Sequence, residues 1–327
     1  METDESGRVL CVSVNQDGEE VKLVRYRYDD RGDMVETLDA LDVSKHFVYS
    51  GGHLLVQLTN QGDMSFHWEY EGKGENARCV HTWGDGGVME YFIRYGKGYT
   101  HIRNGENAET EYYYGEDKLI YKIVDANGGI TRRQYNSFQE LEVTVNPEGY
   151  THKTSYNEFG LPIRITDENG ENTFLDYDNN RNLVSLYTPG GKRLSWDYDG
   201  LDRVVSRTTP GGETVKYAYD GGVLRTITDG QGRVYTLTFN DRYDLELLQF
   251  PNGLFRRWEY DGRGRLVQAV DVKGNVTRYA YDRADNMVRL EEPDGNVHRF
   301  EYDAMGNMYM PATTSARSGS PMGRWGY

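Results

Sequence analysis

A tyrosine returns along this chain at an almost fixed interval, and no other feature limits the possible folds so strongly. Tyrosines followed by an acidic, Asn, Gly or Ser residue stand at Tyr28, Tyr49, Tyr70, Tyr95, Tyr114, Tyr135, Tyr156, Tyr177, Tyr198, Tyr219, Tyr260, Tyr281 and Tyr302, and Phe239 fills the one vacancy. Ten of the thirteen intervals are 21 residues; the exceptions are 25 then 19 around Tyr95, and 20 before Phe239. A glycine keeps the same phase at Gly128, Gly149, Gly170, Gly191, Gly212, Gly232, Gly253, Gly274 and Gly295. Its single 20-residue step, Gly212 to Gly232, coincides with the slip at Phe239, as a true repeat with a one-residue deletion requires.

Each unit reads as one β-hairpin. From Gly274 the chain runs through strand formers to Tyr281, turns at Asp282-Arg-Ala-Asp285, and returns through Met287-Val-Arg-Leu290 to the turn at Glu292-Pro-Asp-Gly295. The fold class that follows is all-β, a spiral array of antiparallel hairpins. Strand side chains alternate, so each anchor tyrosine shares a face with the residue two before it, which is aromatic at Tyr26, Tyr112, Trp196, Tyr217, Trp258, Tyr279 and Phe300. The expectation is a continuous stacked aromatic stripe. An isolated hairpin is marginal in water, so stability must come from neighbours laid edge to edge in a sheet that twists and coils. The one candidate helix is Leu38-Asp-Ala-Leu-Asp-Val-Ser44.

Composition agrees with an aromatic, turn-rich chain: 27 Tyr, 10 Phe and 5 Trp accompany 38 Gly in 327 residues. Acids outnumber bases 52 to 37, a net charge of −15, which argues against nucleic acid as a partner and accommodates a basic one more easily. Cys11 and Cys79 show no CxxC spacing and read as two semi-buried thiols. The first residues carry no basic-then-apolar leader, and no run reaches the 18 apolar residues of a membrane span. Synthesis in the cytoplasm without a signal peptide is therefore expected.

Three parts are distinguished: looser repeats over 1–107, the regular array over 108–308, and an aperiodic tail over 309–327. The tail has no acidic residue, only Arg317 and Arg324 as charges. A disordered tail and a shifted reading frame both account for that change.

These residues resemble the RHS-repeat proteins, whose YD repeats read approximately Gly-x-x-x-x-x-x-Tyr-Asp-x-x-Gly-Arg-Leu. Tyr260-Asp-Gly-Arg-Gly-Arg-Leu266 and Tyr156-Asn-Glu-Phe-Gly-Leu161 match that pattern. The segment around Cys79, Trp83, Gly84, Asp85, Gly86 and Gly87, following Phe66-His-Trp-Glu-Tyr70, resembles one that precedes the regular repeats in bacterial RHS proteins, many linked to type VI secretion. The resemblance spans residues 7 to 308 and implies a spiral shell around a toxic C-terminal domain. It also implies an upstream spike-binding or transport region and a downstream Asp-Pro-containing self-cleavage segment, neither of which this sequence displays. The expectation is a repeat-core fragment without its toxin, and open strand edges that pair with another RHS segment or a second copy.

Signatures of chemistry are missing by comparison. The seven histidines, five of them between His46 and His101, show no HExxH or Cys/His cluster spacing, and there is no Gly-x-Ser-x-Gly, P-loop or dinucleotide fingerprint. Acidic turns such as Asp125-Ala-Asn-Gly-Gly129 lack the loop of a calcium-binding EF-hand, and Glu291-Glu292 point to opposite faces of a strand. No enzyme, cofactor or metal is expected. The aromatic stripe supports two uses: packing between hairpins, or stacking on sugars in a surface adhesion module, with Trp196 and Trp258 as the rings to test.

Overall fold

The computed structural model describes residues 1–16 and 18–309; the expected tail, Tyr309 apart, lies outside them. Twenty-nine strands form one sheet in which each strand pairs antiparallel with the next. Two short strands, Glu301–Tyr302 and Met308–Tyr309, pair separately. The result is a single-layer ribbon. Among the described residues only Cys11 and Leu237 are apolar side chains less than a tenth exposed, so burial is shared along half-covered rows instead of concentrated in a core.

One repeat shows why these residues make this hairpin. Asn172–Tyr177 rises, Leu183–Tyr187 returns, and Arg193–Tyr198 opens the next unit. Between Tyr177 and Leu183 lies a five-residue turn in which the Asp178 N–H donates to Asn182 O and the Arg181 N–H to Asp178 O. The Asp178 carboxylate accepts both the Asn180 and Asn182 amides at 2.9 Å, so the aspartate of the Tyr-Asp pair closes its own turn. The fourth turn residue sits at positive φ, 71° at Arg181. In the alternate turns that place holds the phase glycine, as at Gly170 with φ 82°, which explains why a glycine recurs there.

The turns alternate between the two edges of the ribbon. Those following the anchor tyrosines form a tyrosine rim; those carrying the phase glycines form a glycine rim. The irregularities of the period are changes of loop length on the tyrosine rim, except for one residue added at the glycine-rim turn between Gly84 and Val88, where the register shifts. After Tyr70 the loop is enlarged around a short 3-10 turn, Gly74–Asn76. Lys97-Gly98 and Gly221-Gly222 are two-residue loops closed by the pairs Gly96 with Tyr99 and Asp220 with Val223. The candidate helix at 38–44 is instead strand, turn and strand: Met34–Asp39 runs into Ser44–Tyr49, and the Asp39 carboxylate accepts the Leu41 and Val43 amides. That local bonding offers the backbone an alternative to a helical turn.

At every anchor but Tyr95 and Tyr302 the register shifts by one residue: Asp176 faces Ser185 but Tyr177 faces Leu183, leaving Val184 unopposed. Such bulges add right-handed twist, and repeated at each hairpin they coil the ribbon until it meets itself. Met305, on the tyrosine rim, packs at Gly62 on the glycine rim, where an added Cβ would lie 3.0 Å from the Met305 Cγ. Arg283 and Tyr281 share a cleft with Glu19, Val21 and Leu41. These pairs lie 240 to 264 residues apart in sequence, so one winding takes about twelve repeats.

Candidate functional site

The polar chemistry of the ribbon is organised in rows. The first is a line of tyrosine hydroxyls. Neighbouring hairpins share only three paired positions, such as Ser185 with Ser195, Leu186 with Leu194 and Tyr187 with Arg193. Beyond them the backbone of Leu183 is past the last rung, and the Tyr198 hydroxyl donates to its carbonyl at 2.9 Å. The same bond joins Tyr177 to Pro162, Tyr219 to Val204, Tyr260 to Leu245, Tyr281 to Leu266 and Tyr302 to Met287, at 2.9 to 3.0 Å. Tyr135, Tyr156, Tyr70 and Tyr114 make it too, the last at 3.3 Å. Each hydroxyl thus fills an orphan acceptor and ties one hairpin to the one before it, a net contribution of about 1 kcal/mol per bond.

Four anchors depart from this rule, and Tyr49, for one, does not bond the Met34 carbonyl 15 residues back. Tyr28 reaches Val9, 19 residues back, and Tyr95 reaches Cys79, 16 back. Phe239 has no hydroxyl to give. Burial holds the hydroxyls of Tyr70, Tyr177, Tyr198, Tyr260 and Tyr281 above the usual tyrosine value, which keeps them protonated donors.

The expected stack of aromatic pairs is not what the row contains. Successive anchors lie two strands apart, about 10 Å, and the place between them is taken by an aliphatic or proline partner: Pro162, Leu183, Val204, Leu245, Leu266 or Met287. Ring contacts among the described residues fall elsewhere, for example Tyr235 edge-on to Phe250 at 6.0 Å. Sequence spacing located the tyrosines but carried no signal for the acceptor of their hydroxyls.

The second row is the tyrosine rim, whose turns are laced to one another. Asn180 and Asn182 donate to Asp202 at 2.9 and 2.7 Å, and Arg263 and Arg265 bind Asp285 at 2.7 and 2.9 Å. The turn carboxylates are held below the usual range. At Asp178 the backbone bond from Asn182 is the main cause, and at Asp199 the Arg203 side-chain bond. At Asp261 burial pushes upward and is outweighed by bonds from Arg265 and Arg263.

The segment Ser65–Asn104 is built differently. His67, Trp83, His81 and Phe92 stack in sequence across three strands, with centroids 5.1, 4.2 and 4.2 Å apart, and the Arg103 guanidinium lies 4.1 Å over Phe92. Both His81 nitrogens face carboxylates, Glu69 at 3.4 Å and Glu90 at 3.0 Å. Asp85 accepts the Ser65 amide and bonds His67, across the turn that Gly84, Gly86 and Gly87 shape; Gly86 and Gly87 have positive φ. A side chain at Gly84 would meet Met64, Phe66 and the Val88 carbonyl at 3.0 to 3.1 Å. The Cys79 thiol is pushed up by burial, and both cysteines are free. The notable members of this stack, His67, His81 and Phe92, were not singled out in the sequence, because only the strand register brings them together.

Constellations for catalysis are thin. Ser44 Oγ lies 3.0 Å from His46 Nε2, but Glu36 stands 3.6 Å from the other ring nitrogen, outside hydrogen-bond distance, on an open sheet face. Among the described residues no three His, Cys, Asp or Glu side chains gather to hold a metal ion, and no helix is long and apolar enough to cross a membrane.

A one-layer ribbon of 21-residue hairpins, most of them tied to a neighbour by a tyrosine hydroxyl, defines a β-hairpin repeat protein. Residues 96–249 match the Teneurin YD-shell family model, and residues 260–297 match the RHS repeat. A protein of Dickeya dadantii (strain 3937), described as the probable deoxyribonuclease RhsB, is 24% identical over 161 residues, 49% of this chain and 11% of the relative. The crystal structure of TcdB2-TccC3 without its hypervariable C-terminal region aligns with a TM-score of 0.45 at 14% identity, over 94% of this chain and 21% of that one. The Photorhabdus luminescens Tc holotoxin pore aligns with a TM-score of 0.33 at 12% identity, over 88% and 22%. The chain is an RHS/YD-repeat protein, and it spans a small part of each of these relatives.

Proposed function

We propose that this chain is a wall segment of an RHS toxin-delivery shell, which in a longer parent encloses a C-terminal toxin used in competition between bacteria. The observation that carries the reading is the ribbon itself: one layer thick, without a conventional core, and coiled until its rims meet. Such a sheet encloses space instead of filling it. In this reading residues 108–308 form the regular wall, 1–107 its less regular beginning, and 309–327 stand outside the repeat. The anchors from Tyr28 to Tyr302 serve as inter-hairpin ties, and the Cys79–Gly87 segment as a structural corner. The wall acts by enclosure, not catalysis and without a cofactor. Its partners are the cargo and other repeat segments, including strands added at the ribbon ends. The description of the Dickeya relative makes a nuclease a reasonable cargo. Synthesis in the cytoplasm and export through type VI secretion complete the proposal.

Limited proteolysis of the complete gene product containing these residues tests it. Protection of a C-terminal domain that ends when the ribbon is opened by substitution supports enclosure; a domain cleaved equally fast with and without an intact ribbon overturns it. Reading the locus beyond codon 327 adds a second check, since repeats that resume and lead to an Asp-Pro motif and a toxin are expected.

A second reading rests on one cleft. Trp196 and Tyr198 line it together with Arg193, Asp178, Asp197 and Asp199, an aromatic face with polar groups around it of the kind that holds a sugar. Glycan binding lost on Trp196→Ala or Trp258→Ala favours an adhesion module, and no binding to a broad glycan array removes it.

A further inference from the structure

The place where the ribbon meets itself has a defined chemistry, and parts of it recur at sites with no counterpart within the described residues. Met305 is the third residue of its tyrosine-rim turn, Asp303 to Asn307, and Gly62 the third of its glycine-rim turn, Asn60 to Met64. The contact is therefore an apolar side chain at the third place of one rim set on a glycine at the third place of the other. On the tyrosine rim the same place holds Phe138, Phe159 and Leu201, which are 76%, 55% and 72% exposed. Large apolar side chains grouped on a surface in this way mark interaction sites. On the glycine rim the same place holds Gly190 and Gly211. Nothing lies within 4 Å of a Cβ at Gly190, and only the Thr209 hydroxyl, 3.8 Å away, approaches one at Gly211.

The spacings agree. Phe138 and Phe159 are one repeat apart, and so are Gly190 and Gly211. Neither Phe138 nor Phe159 is among the nearest neighbours of a Cβ built on any described glycine.

We propose that the tyrosine rim at Phe138 and Phe159 docks on the glycine rim of a second copy of this chain at Gly190 and Gly211, reproducing between copies the seam that Met305 and Gly62 form within one. The surface continues an interface already present in the molecule, which identifies its occupant as another ribbon of the same kind. The two faces in contact differ, so the association is heterologous and adds copies in one direction, as a ring or an open series. It is separate from strand addition at the ribbon ends and does not depend on the enclosure reading.

Sedimentation velocity over a wide concentration range reads it. The intact chain is expected to form a growing series of species, and Phe138→Ser with Phe159→Ser to weaken association about a hundredfold, a tenfold loss for each ring. Both rings stand on exposed turn tips; far-ultraviolet circular dichroism confirms that the variant keeps its sheet. Gly190→Glu with Gly211→Glu, at positions outside the positive-φ set, blocks the other rim in the same way. Mixed together, the two double variants each keep one competent rim and are expected to form a one-to-one complex that grows no further. A chain that stays monomeric at every concentration overturns the proposal, as does association that persists in either double variant alone.

Discussion

The regular array and the segment Ser65–Asn104 reach the same end, a hairpin fixed to its neighbour, by different means. In the array one hydroxyl bond is repeated at every step but that of Phe239, and all else is turn chemistry. In the segment a column of rings crosses three strands, with carboxylates beside His67 and His81. Many small identical ties tolerate the loss of one member; a single column does not. The comparison teaches that a ribbon lacking a core can be held either by repetition or by local concentration of contacts, and that these two regions should fail differently.

The largest effect is expected from Trp83→Ala, which removes the centre of the column and costs about 2–3 kcal/mol for a half-buried ring. Hydrogen exchange should rise across residues 65–104 and stay unchanged beyond about residue 130; a uniform rise along the chain would mean the two regions are not separable. Alkali acts on the other side of the comparison. Folded tyrosines whose values are raised stabilise fully below the unfolded value of about 10, and that stability is lost as pH climbs through the folded values. The array is thus expected to loosen first above that pH, followed by phenolate absorbance and exchange together.

Single ties should be worth about 1 kcal/mol. Tyr198→Phe is expected to lower stability by that amount, and Phe239→Tyr to raise it by about half as much or more, through a new bond to the carbonyl of Leu224. No gain at Phe239 would show that its hairpin has adjusted around the missing hydroxyl. Acid should have the smallest effect. Turn aspartates with lowered values contribute above the unfolded value near 3.9 and lose that contribution as pH falls through the folded values. Because these groups are exposed, a shallow decline in melting temperature below that pH is expected, not a sharp transition.

Much of this architecture was legible in the sequence because it is local. The alternation toward Tyr281, the Asp-x-x-Gly turns and the paired slip at Gly232 and Phe239 each report on a few adjacent residues. The helix expected at 38–44 failed for an equally local reason: Asp39 caps a turn there. What was not legible depends on register or accumulated twist. His67 meets Trp83 through strand pairing, the Tyr198 hydroxyl meets Leu183 across a hairpin boundary, and Met305 meets Gly62 only after a whole winding of small rotations. No short window of sequence contains those distances. Even the aromatic stripe, correct in its spacing, was assigned the wrong neighbour, because a strand from the return half of each hairpin stands between successive rings.

The bulges beside the anchors and the loops on the tyrosine rim also bear on heredity. Length changes of one, two or three residues are absorbed at a turn tip, and the rungs on either side keep their phase. Unequal crossing-over between two repeats in the same phase would therefore delete or duplicate whole hairpins and still yield a chain that folds, so the gene can change the circumference it encodes without first inventing a new fold.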